Sequence, residues 1–339
     1  MTGIEQGAVL EYLDLASAGR RHDAVRLVLD ALDDGVPASV VVTDLVGAAQ
    51  REVGERWLRA EWSTADEHLV TSVSQAALEA VSHAKGAASE VGPTVVVACA
   101  ESDWHGLPAQ MFAELLRDQG LRTFHLGAST PADDVATFVG RRRPDAVAVT
   151  CNLALSYLGV ARLVDAAHRS GTPAIVGGRA MTAARARVLG ADGWAADAEE
   201  AASIVRGWVR SAPPVPDEAT ALDAGALALD EAAVSFADVA FDDLERRFPP
   251  LVTYDLRQRM RTREDLAYIV RYLAAARLVG DPEVFTDFCG WLTDLLEARG
   301  VPPRALAAGI ESLLPHLRGI DEGAADLAIA DNDPRWRIA

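Results

Sequence analysis

Asp103 and His105 stand two residues apart, and Glu67-His68 follows Trp57 after nine intervening residues. An imidazole binds a metal well when one ring nitrogen is free and the other is held by a partner. A carboxylate two positions away on the same loop can be that partner, so Asp103 is placed to fix the tautomer of His105 as a metal ligand. The pair alone reads equally as an exposed loop histidine beside an unrelated aspartate. In the other group, Trp57 offers a flat apolar surface, and Glu67 offers a carboxylate that accepts hydrogen bonds from hydroxyl or amino groups. A helical hairpin brings Trp57, Glu67 and His68 to one face. The plain alternative is a core tryptophan with a surface Glu-His pair.

These groups need elements to carry them. Residues 4 to about 88 show apolar residues at helical spacing through Val9, Leu10, Leu13, Val25, Leu29 and Leu32. Gly35 and Pro37 break that run, a helix over 38–58 follows, and Ser63 starts another as its N-cap, with Asp66 three residues on. The spacing predicts a four-helix bundle over 1–90. At Thr94 the pattern changes to a β-branched run ending at Ala100, typical of a buried parallel strand. Further strands are predicted at 121–126, 146–151 and 174–177, with a weaker one near 193–196. The alternation with helices predicts a flavodoxin-like doubly wound domain over 91–210. Asp103 and His105 then fall just past the first strand, Thr150-Cys151-Asn152 at the end of the third, and Gly177-Gly178 at the end of the fourth. Carboxyl ends of strands are where such sheets bind ligands.

Pro213, Pro214 and Pro216 open a predicted linker over 211–235. An all-α domain is predicted over 236–320, with amphipathic helices at 265–279, 282–299 and 303–317, and an acidic tail over 321–339. This domain carries Arg257, Arg259, Arg261, Arg271, Tyr254, Tyr268, Tyr272, Cys289, Trp291 and His316. The plain reading is a helical interaction domain.

The 339 residues suffice for two or three domains, and the net charge of −18 argues against direct contact with nucleic acid. Arg141-Arg142-Arg143 reads as a solvated helix end. Three scattered cysteines predict neither a disulfide framework nor a zinc site and suit a cytoplasmic protein. No signal peptide and no membrane span is expected.

The loop Asp103-Trp104-His105-Gly106, Thr150-Cys151-Asn152 and Gly177-Gly178 resemble the Asp-x-His-x-x-Gly, Ser-x-Leu and Gly-Gly pattern of the B12-binding domain. The resemblance spans about residues 5–208 and implies cobalamin, with His105 as the lower axial ligand to cobalt. Thr150, Gly177 and Gly178 would leave room for the coenzyme's nucleotide tail at the strand ends, and Gly106 would be a further cofactor-binding residue, in the His105 loop. Three departures stand out: Pro108 replaces the motif glycine, Thr150 replaces serine, and Asn152 replaces leucine.

Trp57 and Glu67-His68 resemble the Trp-x9-Glu-His motif of CarH-type photoreceptors, which implies adenosylcobalamin capped from above and light-driven cleavage of its cobalt–carbon bond. Two differences accompany this likeness. The chain starts at the bundle rather than at a basic DNA-binding domain, so a DNA-binding repressor is not expected. Leu58 stands where the CarH sensor has a second histidine, leaving His68 as the nearest candidate for an upper ligand after light. The domain order resembles the photocobilins, which implies a globin-like C-terminal domain holding a bilin such as biliverdin. A homo-oligomer and a downstream protein partner are expected of such a sensor rather than catalysis. The rival is a corrinoid methyl carrier of a methyltransferase system, which would share His105 but not need Trp57 and Glu67-His68. A B12 storage module is a third reading.

Overall fold

A computed structural model describes residues 4–86, 92–211, 213, 215 and 220–330, and divides the chain into two compact units, Met1–Thr220 and Ala221–Ala339. No helix among the described residues is long and apolar enough to cross a membrane.

The first unit opens with α1 (Gln6–Ser17) and α2 (Arg21–Asp33), followed by a helix in three parts: α3 (Ala38–Val40), a π-helical stretch Val41–Val46, and α4 (Gly47–Leu58). The wider π turn sends Val41, Val42, Leu45 and Val46 into the core together. Helix α5 (Thr64–Ala84) begins with a reciprocal capping box, because Ser63 Oγ accepts from Asp66 N–H while the Asp66 carboxylate accepts from Ser63 N–H. These helices enclose a core of Val9, Tyr12, Leu13, Val28, Leu45, Val70 and Leu78, among others. Inside it, Tyr12 Oη and Ser74 Oγ lie 3.0 Å apart, and Gln50 Nε2 donates to Ser74 Oγ at 2.9 Å, so the buried hydroxyls are satisfied.

Next come β1 (Thr94–Cys99), α6 (Gly106–Asp118), β2 (Arg122–His125), α7 (Ala132–Arg142), β3 (Ala146–Thr150), α8 (Tyr157–His168), β4 (Ala174–Gly177), α9 (Ala183–Val188), β5 (Gly193–Trp194) and α10 (Ala198–Arg210). All strand pairs are parallel, in the order β2-β1-β3-β4-β5. The chain winds one way from β1 to β2 and the other way from β1 to β3, which makes a topological switch point between β1 and β3. The predicted strands all appear: β4 matches its predicted range, and the others are one or two residues shorter.

Helix α6 belongs to two cores. Leu107, Met111 and Leu115 lie four residues apart, and they pack into the helical core of α1–α5. Ala109, Ala113 and Leu116 pack under the sheet with Val95, Val97 and Cys99. Arg117 Nη1 donates to Ser82 Oγ at 2.5 Å, and Lys85 pairs with Asp118 at 2.6 Å, fastening the end of α5 to the end of α6.

The second unit is helical: α11 (Ala224–Arg247), α12 (Leu256–Val279), α13 (Glu283–Ala298), α14 (Arg304–Ile320) and α15 (Glu322–Ala330). Three boundaries differ from the expectation. Residues 224–235, read as linker, are the first half of α11, because Asp223 caps it and Ala226, Leu229 and Ala233 are buried. Helix α12 starts nine residues early, at an Asp255–Gln258 capping box, in an arginine-rich stretch with no apolar period. The start of the expected acidic tail is helix α15, with Ala324, Ala325 and Ala328 buried, while 331–339 lie outside the described residues.

Candidate functional site

Two residues with left-handed backbone meet here, Ser102 (φ 69°) in the β1–α6 loop and Ser129 (φ 48°) in the β2–α7 loop. Ser102 N–H donates to Ser129 Oγ and Ser129 N–H to the Asp103 carbonyl, both at 3.0 Å, which turns the Asp103 side chain inward. Asp103 is fully buried. Its Oδ1 accepts from His105 N–H at 2.9 Å and lies 2.8 Å from His105 Nδ1. Its Oδ2 accepts from Asn152 N–H at 2.9 Å, across the switch point from the end of β3. Burial works against the Asp103 charge, but the hydrogen bonds from His105 and Asn152 outweigh it and hold the carboxyl below its usual range.

His105 is thus gripped at Nδ1, with its side chain 51% exposed, and Nε2 has no protein partner among the described residues. The Asp103 hydrogen bond raises its pKa against the effect of burial, and the charges of Asp103 and then Glu67 add to the rise. Glu67, on α5, is the smallest of these contributions. Trp57, partly buried in the last turn of α4, donates from Nε1 to Thr64 Oγ1 at 3.3 Å. His68 follows Glu67 about 100° around the helix. It is 72% exposed, and its Nε2 lies 3.7 Å from Glu67 Oε2.

Gly106 opens α6, where a β-carbon would stand 3.4 Å from the Ala128 Cβ. Gly178 has φ +107°, and a β-carbon there would lie 2.4 Å from the Cys151 carbonyl oxygen, so no other residue fits without a backbone shift. Gly177 and Thr150 are register partners at the ends of β4 and β3. Thr150 Oγ1 and Asn152 Nδ2 are buried without a hydrogen-bond partner, apart from the weak Cys99 thiol beside Thr150. Next to these residues in the chain, Trp104 (77% exposed) and Leu153 leave apolar surface in solvent.

Among the described residues no group of three or more His, Cys, Asp or Glu side chains could hold a metal ion. One oriented imidazole suits a metal that arrives with most of its ligands already in a macrocycle. Two unsatisfied buried polar atoms, a glycine cradle and an apolar rim suit a large ligand with both ring and hydrogen-bonding surface. The residues present therefore fit a corrinoid.

Sequence reasoning picked out Asp103 and His105, but missed that Asn152 holds the second Asp103 oxygen. That bond uses a backbone N–H, which any residue except proline supplies, so the side-chain pattern carries no signal for it.

Two B12-binding domain families match the chain, one over residues 93–205 and one over 10–82. The HTH-type transcriptional repressor CarH of Myxococcus xanthus is 29% identical over 138 residues, which is 40% of this chain and 46% of that protein. The chain thus spans less than half the length of that relative. Among solved structures, the Methanosarcina barkeri monomethylamine corrinoid protein superposes with a TM-score of 0.50 at 20% identity, covering 57% of this chain and 94% of that one. A cobalamin-binding protein from Desulfitobacterium hafniense DCB-2 has a TM-score of 0.33 at 22% identity, covering 59% and 98%. The domain matches and the CarH relative support a cobalamin-binding protein.

Proposed function

We propose that the protein is an adenosylcobalamin-dependent photoreceptor, with His105 as lower axial ligand and Trp57 and Glu67 covering the upper face. The observation that carries this reading is the Asp103–His105 pair, in which a buried carboxylate holds Nδ1 and the ring stays 51% exposed. When bound, adenosylcobalamin supplies a cobalt–carbon bond that light can break. The chain's own residues orient and hold. Asp103 keeps the proton on His105 Nδ1, so that Nε2 presents its lone pair. Glu67 accepts hydrogen bonds from the upper group, and Trp57 packs over it and excludes water. Thr150, Asn152, Gly177 and Gly178 receive the nucleotide tail. Signalling then rests on an interface with two arrangements: α4 and α5 sit over the sheet side while Trp57 and Glu67 have a group to cover, and relax when they do not. After light, His68, which is 72% exposed, is the nearest candidate in sequence for a second protein ligand.

The test is an absorption spectrum of protein loaded with adenosylcobalamin, before and after green light, for the native chain and for His105→Ala. Native protein should show the histidine-ligated spectrum and convert fully on illumination; an unchanged spectrum in His105→Ala would refute the assignment. The rival is a corrinoid methyl carrier. The monomethylamine corrinoid protein, at 20% identity, speaks for the shared fold alone. Equal affinity for methylcobalamin and adenosylcobalamin, unaffected by Trp57→Ala, would favour that rival.

For the second unit we propose a bilin site, with biliverdin as the pigment. Tyr272 and Phe288 stack at 3.8 Å with planes 9° apart, and Trp291 beside them is 40% exposed, an aromatic surface suited to conjugated rings. Arg259, Arg261 and Arg271 already face Glu245, Glu264 and Asp230. Pigment carboxylates would compete with those acids. Cys289 is fully buried, so a covalent link there would require the core to open. Biliverdin that co-elutes with the full chain with a sharpened, red-shifted band supports the site; pigment lost on gel filtration removes it.

A further inference from the structure

Asn152 stands where the B12-binding pattern has leucine, and its Nδ2 is buried with no partner. A primary amide left unpaired in a protein interior costs stability, so such a group points to a ligand that completes it. The amide is beside the Asp103–His105 pair, because Asn152 N–H itself donates to Asp103 Oδ2 at 2.9 Å. Two residues back, at the end of β3 and opposite Gly177, Thr150 Oγ1 has only the weak Cys99 thiol beside it. This part of the site therefore holds one unpartnered amide donor and one hydroxyl with only a thiol for a partner. The lower base of cobalamin, dimethylbenzimidazole, offers one acceptor nitrogen when it is off the cobalt, and carries methyl groups on its outer edge. An adenine base offers several ring acceptors and an exocyclic amine. A primary amide matches adenine in a bidentate way, donating to a ring nitrogen while its oxygen accepts from the amine.

We infer that Asn152, with Thr150, selects corrinoids whose lower base has a hydrogen-bonding purine edge over those with dimethylbenzimidazole. The inference rests on the cofactor reading above, and its test separates the two. The full-length apo-protein is titrated by absorption with cobalamin, with the cobamide whose lower base is adenine, and with cobinamide, which has no lower base. The adenine cobamide should bind about tenfold or more tighter than cobalamin. Asn152→Leu should bring that ratio to about one or reverse it, and Asn152→Ser, a smaller change that keeps the backbone bond to Asp103, should also reduce it. Cobalamin binding as tightly as the adenine cobamide, or a ratio unmoved by both substitutions, overturns the inference and leaves the cofactor reading in place. Failure of all three corrinoids to bind overturns both.

Discussion

Asp103 Oδ1 and Oδ2 between them accept three hydrogen bonds from two loops while the carboxylate is fully buried. Asp103→Asn keeps the shape but turns one acceptor into a donor, which must then face either His105 or Asn152 N–H. Corrinoid affinity should fall about 10–100-fold, as for other partners of ligating histidines, with circular dichroism unchanged. An affinity within twofold of native would show that His105 needs no such orientation. In the second unit, burial first, then Glu264, pushes the Asp265 carboxyl up to about 6, against Arg261 and Arg299. The folded state thus holds this proton more tightly than the unfolded chain. The contribution is most favourable below the unfolded pKa, is lost as pH rises through about 6, and is flat above. Asp265→Asn should therefore stabilise the second unit at pH 7 by about 1–2 kcal/mol and by little at pH 4. Denaturant melts at both pH values check this, and equal gains at the two would rule the charge out as the cause.

At the scale of elements, α6 decides the site's geometry. It starts directly after His105 and buries Leu107, Met111 and Leu115 among the helices that carry Trp57 and Glu67. Leu107→Ala should cost about 2–4 kcal/mol of stability, through lost burial and a residual cavity. It should also weaken adenosylcobalamin more than cobinamide lacking the upper group, because the upper face would lose its register over His105. Val28→Ala, in the core on α2, should lower the melting temperature without changing that ratio. Equal ratios in the two variants would mean that α6 only adds stability.

For the whole molecule, the net charge of −18 keeps copies apart at low salt, so any homo-oligomer must rest on a specific surface. If the α4–α5 face relaxes when the upper group leaves, then complete photolysis of the loaded full chain should change its sedimentation coefficient. Trp57→Ala, already lacking the cover, should show a smaller change. An identical coefficient before and after light would leave a cobalamin binder without a switch.

The sequence by itself determined the local elements and the chemistry on them. The β-branched runs at 94–99 and 146–150 can only be buried parallel strands in a chain that alternates with helices, and Asp103-x-His105 shows its own partnership because both residues share one loop. The glycine at 178 was legible too, though its reason, a β-carbon 2.4 Å from the Cys151 carbonyl, is tertiary. Helix starts were hidden where charge replaces apolar rhythm, as at Leu256, and where alanines supply the buried face, as in α11. What only the tertiary structure decided is adjacency. Placing β3 beside β1 brings Asn152 N–H to Asp103, and α6 packs at once into the helical core and under the sheet. The first joins residues 49 positions apart through a backbone N–H, and the second rests on shared burial. Neither leaves a periodic mark along the chain, because the energy of each depends on which surfaces meet and not on local spacing.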